Sequence, residues 1–353
     1  METMGFNTYE KQDRVLVGMS GGVDSSVTVR ILQEQGFAVQ GAVIRFSPAH
    51  DGAVAAAKDA ARSLGIDVHV IDATETFDRE VVTPFCQSYC EGRTPNPCIL
   101  CNPAVKFRLL AEKADELDIP YLATGHYARI ERCADGVCRL CTAESTARDQ
   151  SYMLYRLGPD ILDRLILPLG EFEKTDVRDI ARDIELNCAD TPDSMEICFI
   201  PDGDYSAFIR ARGMTPKQGR FIGPDGEDLG AHLGVDRYTV GQRKGLGISA
   251  GRPLFVREIR PDGNIQLAES GGEFNQRITV GSIVTPDGLP MPDGEYLVKI
   301  RSAAKPAPCV TRCTDGILTV DFPEPVRAPA PGQSAVFYRD GYVMGGGLIL
   351  SAE

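Results

Sequence analysis

The segment Gly18-Met19-Ser20-Gly21-Gly22-Val23-Asp24-Ser25-Ser26 constrains this chain more than any other stretch. Residues 14–18 (RVLVG) form a β-branched apolar run ending on glycine, and residues 24–35 carry Val27, Ile31 and Leu32 at helical spacing. The order is strand, small-residue turn, helix. With so little side-chain bulk, the turn lets backbone N–H groups approach phosphate oxygens, and the start of the helix adds partial positive charge. Ser20, Ser25 and Ser26 offer further donors, and Asp24 is a candidate to help hold Mg²⁺. No lysine stands where a Walker loop needs one, and the glycine spacing is not that of a dinucleotide fingerprint. A plain turn capped by Asp or Ser would need the same glycines; the full string behind an apolar strand favours a phosphate site.

The alternation continues downstream. Apolar runs at 39–44, 67–71 and 121–124 alternate with helical patterns at 53–64 and 105–117. This pattern implies an α/β unit, a doubly wound parallel sheet whose ligand site lies at the carboxyl ends of the strands. Helical pattern persists through 154–186, after which glycine, proline and short alternating runs take over, with a boundary at 203–206. Strands expected at 295–300, 317–322, 334–338 and 342–350 predict a small C-terminal β-barrel or sandwich. The expected division is 1–204 for an ATP-binding catalytic domain, 205–275 for a central basic domain and 276–353 for a β-barrel.

A formal net charge of −13 excludes a protein that coats nucleic acid nonspecifically, because backbone phosphates demand a positive surface. Between residues 206 and 260, however, ten Lys and Arg stand against five Asp and Glu. Arg243 and Lys244, in GQRKG, suit phosphate contacts at exposed turns that position a nucleic acid without reading it. No run reaches the roughly 18 apolar residues of a membrane span. The start, METMGFNTYEKQD, has no apolar signal core, so a cytoplasmic location is expected. The eleven cysteines then read as thiols, metal ligands or redox groups.

Residues 92–102 (GRTPNPCILCN) form a proline-rich loop leading into a helix, where a thiol near the helix N-terminus is expected to ionise readily. Residues 192–201 (PDSMEICFIP) place Cys198 among polar residues just before the domain boundary. Cys86 and Cys90 suit helix packing, although with Cys98 and Cys101 they make four cysteines in a short stretch, a zinc alternative. Cys133, Cys138 and Cys141 have the spacing of a plant-type ferredoxin, but they flank Ala134-Asp135-Gly136, and a surface hairpin is expected.

The string SGGVDSS resembles the PP-loop of the ATP pyrophosphatases, which split ATP into AMP and pyrophosphate to adenylate a substrate oxygen. Seven landmarks, GMSGGVDSS, GRTPNP followed by LCN and KF, ATGHYAR, RDQSYML, PDSMEICFIP, YTVGQRKGLG and PGQSAVFY, run in order over nearly the whole chain. Together they resemble the bacterial tRNA-specific 2-thiouridylases. The resemblance implies ATP-dependent 2-thiolation of the wobble uridine, position 34, in tRNAs of the Lys, Glu and Gln type, with a cysteine desulfurase or sulfur-carrier protein as donor. It implies ATP contacts from Gly18, Met19, Ser20, Gly21, Gly22, Val23, Asp24, Ser25, Ile44 and Gly125. Asn96, Pro97 and Cys98 map to the target-base site, and His126, Arg148, Asp149, Gln150, Arg301, Ser302 and Gln333 map to tRNA contacts. Ser302 stands where an aromatic is expected, which weakens any stacking role there.

By the same resemblance Cys101 is the nucleophile and Cys198 receives the persulfide, the two closing a disulfide as sulfur leaves. The chain departs from the family at Cys98, where an Asp after Asn-Pro is usual. Either the acid is dispensable here, or Cys98, Cys101 and Cys198 hold a 4Fe–4S cluster with one iron open to sulfide. Two other classes stand beside this reading: a PP-loop amidotransferase or ligase using nitrogen, and a noncatalytic RNA-binding protein with a vestigial loop. The CxxC and the C-terminal β domain argue against the first, the intact SGGVDSS and both cysteines against the second.

Overall fold

A computed structural model of the chain describes residues 13–189, 197–248 and 251–353. The N-terminal stretch read for a signal core, apart from Asp13, and residues 192–196 of the PDSMEICFIP motif lie outside the described residues. The apolar runs become strands β1 (Arg14–Met19), β2 (Ala38–Arg45), β3 (Val68–Asp72) and β4 (Tyr121–Thr124), followed by a hairpin of β5 (Arg129–Arg132) and β6 (Cys138–Cys141), and by β7 (Leu165–Ile166). Five of these form a parallel sheet in the order β3-β2-β1-β4-β7. Helices α1 (Val23–Glu34) and α2 (Asp51–Leu64) follow β1 and β2. Along β1, Val15, Val17 and Met19 enter one apolar cluster and Leu16 another, so both faces of the sheet are covered, as a parallel sheet requires.

Two helical expectations are corrected. The pattern at 105–117 divides into a wide turn with π-type bonding, Asn102–Phe107, and the helix Arg108–Glu116; Pro103, lacking an N–H, sits at the start of the wide turn. The stretch 154–186 is not continuous helix. Short helices Ser151–Leu154 and Pro159–Leu162 precede β7, and only Lys174–Asp183 is a full amphipathic helix, because Gly158-Pro159 and Pro168 break the run.

The glycine-rich middle holds strands that were not expected from its composition: β8 (Arg220–Ile222), β9 (Asp228–Ala231), β10 (Leu254–Ile259) and β11 (Ile265–Glu269), in the order β10-β11-β8-β9. They pack on Phe221, Tyr238, Val256, Ile265 and Leu267. At the C-terminus β12 (Phe274–Val284), β13 (Gly294–Lys299), β14 (Ala307–Thr314), β15 (Ile317–Arg327), β16 (Ser334–Arg339) and β17 (Tyr342–Ala352) run β12-β15-β14-β13-β16-β17, and β17 pairs back with β12. The barrel expectation holds, with Val280, Val298, Leu318, Val320 and Phe337 inside. The Cys133–Cys141 region is a hairpin, but only its turn is on the surface: Cys138 and Cys141 are buried, and Cys141 pairs with Tyr342 of the barrel. Among the described residues no helix is long and apolar enough to cross a membrane.

Candidate active site

The phosphate loop joins β1 to α1 where the backbone is forced. Gly21 has φ +77°, and a Cβ there would lie 2.7 Å from the Ala56 Cβ and 2.8 Å from the Ala57 nitrogen of α2. Glycine alone satisfies both the left-handed conformation and the close approach. The Ser25 hydroxyl donates to the Gly22 carbonyl at 3.2 Å and accepts from the Ser20 N–H at 3.2 Å; the Ser26 hydroxyl also bonds Gly22. Gly22 caps α1 without any side-chain bond to the helix start, which leaves the first-turn N–H groups of that helix available to an anion. Gly125, at the end of β4, lies against the same turn: a Cβ on it would sit 2.8 Å from the Asp24 carbonyl carbon. Gly18, Met19 and Val23 shape the turn from the inside, and the Ile44 side chain belongs to the core, so only its backbone can face a nucleotide.

Asp24 has partners that its spacing did not predict. Both of its carboxylate oxygens accept from Lys174 Nζ, at 2.7 and 2.8 Å, and one also accepts from Tyr127 Oη at 2.8 Å. Lys174 is only 8% exposed and Tyr127 3%. Asp24 thus stands beside the loop with its carboxylate oriented by an ammonium and a phenol, and its side chain is still one-third exposed. Sequence spacing could not reveal this, because Lys174 is 150 residues and Tyr127 103 residues from Asp24.

Opposite the loop, residues 92–102 hold two of the sulfur candidates. Asn96 caps the helix Pro97–Cys101, its Oδ1 accepting from the Cys98 N–H at 3.1 Å, and its amide contacts the Met153 sulfur. Asn102, buried, donates to the Met153 carbonyl at 2.8 Å and fixes the end of the same helix. Cys98 is exposed and Cys101 buried. Burial pushes the Cys101 thiol up to about 12, a rise that the nearby Lys106 charge softens and that Cys198 and Cys98 increase. The ready ionisation expected from a helix start is therefore corrected: Cys101 is the last residue of that helix, and desolvation outweighs the peptide dipoles. Cys198, exposed as a residue, has its thiol pushed up to about 11 by desolvation and by Cys98.

The three sulfurs thus share one electrostatic neighbourhood. Among the described residues no three His, Cys, Asp or Glu side chains are gathered as a site for a single metal ion, the zinc set of Cys86, Cys90, Cys98 and Cys101 included. Cys86 instead packs in the core on the helix Thr83–Cys90, with Cys90 half-buried against it.

Several residues expected to touch RNA are tied into the protein. Gln333, in the barrel, donates to the Thr94 carbonyl at 2.8 Å, while the Thr94 N–H bonds the Pro331 carbonyl and the Thr94 hydroxyl meets that of Thr239 in the central domain. All three parts of the chain therefore converge on the cysteine loop. Asp149 accepts from the Ala143 and Ser151 N–H groups and lies 3.6 Å from Lys299 of the barrel, and Gln150 accepts from the Tyr127 N–H. Arg148 is exposed. His126 shares a 2.7 Å hydrogen bond with Thr124 and lies beside the Phe107 ring; desolvation first, and the Lys106 charge second, hold its pKa well below the usual value.

Arg301 donates to the Val240 and Ala328 carbonyls, each at 2.8 Å, and its Nε is buried without a partner at a cleft of about 390 Å³ that Thr239, Gln242 and Arg327 also line. Ser302 beside it is half-buried. In the basic middle, Arg210, Arg212, Arg220 and Arg252 are spent on internal carboxylates, whereas Arg243 and Lys244 are exposed, Arg243 over the Phe255 ring.

Comparison with known proteins follows the same three parts. A family profile described as the tRNA methyl transferase HUP domain matches residues 13–202, a PRC-barrel domain of the same series matches 206–267, and an aminomethyltransferase β-barrel domain matches 276–349. The chain is 42% identical to a tRNA-specific 2-thiouridylase MnmA of Carboxydothermus hydrogenoformans over 95% of its own length and 97% of that protein's. It is also 42% identical to the MnmA of Trichlorobacter lovleyi, over 96% and 98%. Among solved structures, a 4-thiouridine synthetase in complex with RNA and ATP aligns at a TM-score of 0.38 and 18% identity, covering 57% of this chain and 50% of that one, a likeness too loose to bear on function.

Proposed function

The chain belongs to the tRNA-specific 2-thiouridylase family, and from that membership we propose that it is a tRNA-uridine 2-sulfurtransferase acting on the wobble uridine. The observation that carries this reading is the pairing of an uncapped phosphate loop with the Cys98, Cys101 and Cys198 thiols, in a chain whose relatives are named for 2-thiolation. In the proposed division of labour, residues 1–204 carry the chemistry, 205–275 position the RNA and 276–353 hold the cysteine loop in place. Family relatives are named as acting on tRNA; the anticodon loop is the proposed target because its bases are already unpaired.

The reaction starts with attack of the uridine C2 oxygen on the α-phosphate of ATP. Pyrophosphate leaves, its charge met by the N–H groups at the start of α1. The terminal sulfur of a persulfide on Cys198 then attacks C2 and displaces AMP. Cys101 attacks the Cys198 sulfur, forming a disulfide while the sulfane sulfur leaves with the base as the C2 thione. Burial disfavours both thiols as free thiolates in the resting protein. A cysteine desulfurase or sulfur-carrier protein loads Cys198. Mg²⁺ would accompany ATP, and Asp24, beside the loop, is the residue proposed to help hold it. No step runs through a cluster.

Cys101→Ala is expected to lower 2-thiouridine formation below one-thousandth of the wild-type rate while tRNA affinity, read by filter binding, stays within about threefold. Loss of binding together with activity would make Cys101 a support of the loop and not the nucleophile.

A further inference from the structure

The thiol that sets this chain apart, Cys98, has no part in the two-cysteine scheme, and its placement gives it one. Cys98 and Cys101 lie three residues apart on the helix Pro97–Cys101, with one exposed and the other buried. Residues at that spacing on a helix have Cβ atoms about 5–6 Å apart, while a disulfide needs roughly 3.5–4.5 Å between Cβ atoms and 4.4–6.8 Å between Cα atoms. The difference is small, and it falls where the backbone can give: helical bonding changes at Cys101, where the wide turn Asn102–Phe107 begins. The other end is held, because the Cys98 N–H is bonded to the Asn96 side chain. Cys98 is also among the groups that raise the Cys101 and Cys198 thiols, so the three sulfurs share one neighbourhood.

We propose that Cys98 is a resolving cysteine, which moves the disulfide from Cys101–Cys198 to Cys98–Cys101 and so frees Cys198 to be reloaded with sulfur. This rests on the sulfurtransferase reading above. In the exchange the Cys98 thiolate attacks the Cys101 sulfur, the Cys101–Cys198 bond breaks and the Cys98–Cys101 bond forms. The proton lost by Cys98 ends on Cys198, and no electrons leave the protein. Two electrons from an external thiol or dithiol then return Cys98 and Cys101 to the reduced state. The sense of the exchange follows from the spacing of the thiols along the chain. Cys98 and Cys198 are both exposed, so what favours the exchange is that Cys98 and Cys101 sit three residues apart on one helix, a loop far shorter to close than that between Cys101 and Cys198.

The test uses the full chain in two arms. In one, protein treated with inorganic polysulfide turns over once with ATP and tRNA. In the other, protein without nucleotide or tRNA is equilibrated in an oxidised glutathione buffer. Both are quenched by alkylation and mapped by peptide mass, since Cys98 and Cys101 fall on one tryptic peptide and Cys198 on another. The expected result is a Cys98–Cys101 bond in at least tenfold excess over cross-linked peptides, with Cys198 alkylated. In Cys98→Ser and Cys98→Ala, each checked for folding by its melting temperature, the cross-linked Cys101–Cys198 form should accumulate instead. A wild-type protein that keeps the Cys101–Cys198 cross-link with Cys98 alkylated, or that forms neither bond, overturns the proposal. Digested tRNA from the first arm is assayed for 2-thiouridine. The expected pairing in glutathione without any thiouridine sinks the sulfurtransferase reading and leaves the exchange standing.

Discussion

At the scale of single residues, the site is governed by which groups are denied water. Cys101 is buried and its thiol resists ionisation; Lys174 and Tyr127, both nearly buried, bond the Asp24 carboxylate. His126 shows the same logic with a measurable consequence. Its pKa is held well below the usual value of about 6.5, so the unfolded chain binds a proton that the folded one refuses. Stability from this residue is complete above that usual value and falls as pH drops through the window between it and the lower folded value. Thermal scans at pH 7.5 and 5.5 should show wild type losing several degrees on acidification and His126→Gln losing distinctly less; equal losses would remove His126 as a source of the pH dependence. The sequence singled out the loop residues and the two cysteines proposed for sulfur transfer, because each belongs to a contiguous string. It gave no sign of Lys174 or Tyr127, whose partner lies more than a hundred residues away, and it misjudged the acidity of Cys101 because burial is not written in spacing.

At the scale of elements, the phosphate loop is rigid because its glycines are required by what packs on them. Gly21 touches the backbone of α2 in a left-handed conformation, so Gly21→Ala must push α1 and α2 apart. Such a change should cost about 1–3 kcal/mol of stability, the usual scale of overpacking, and ATP affinity measured by calorimetry should fall at least tenfold; unchanged affinity would mean that the loop does not hold the phosphates. Legibility at this scale depended on length and pattern. The long strands and helices around the loop were readable. Strand β7 was not, having two residues inside a helical-looking stretch, and β14 was missed because its inward positions include Cys309 and Thr311, which carry little apolar signal.

Over the whole molecule, three parts meet at residues 92–97, with Thr94 bonded to Pro331 and Gln333 of the barrel and touching Thr239 of the central domain. The distant parts of the sequence thus meet the cysteines directly, which the boundaries alone did not reveal. The basic character of the middle is also smaller than composition suggests, since Arg212 pairs with Asp78 and Arg252 with Glu269, both outside residues 206–260. Arg243 and Lys244 are exposed, and replacing both with Ala should weaken tRNA binding and lower the slope of log affinity against log salt by about 1–2, at roughly 0.7–0.9 for each phosphate no longer neutralised. An unchanged slope would take them out of the interface.

The central claim is that this chain activates a tRNA uridine with ATP and replaces its C2 oxygen with sulfur. Its most direct test is nucleoside mass spectrometry of a tRNA substrate incubated with the purified full-length protein, ATP and a persulfide donor, with AMP and pyrophosphate measured in the same reaction. The account predicts 2-thiouridine at the wobble position, matched one for one by AMP and pyrophosphate. A methylated uridine, or no modified nucleoside and no release of AMP, would contradict it.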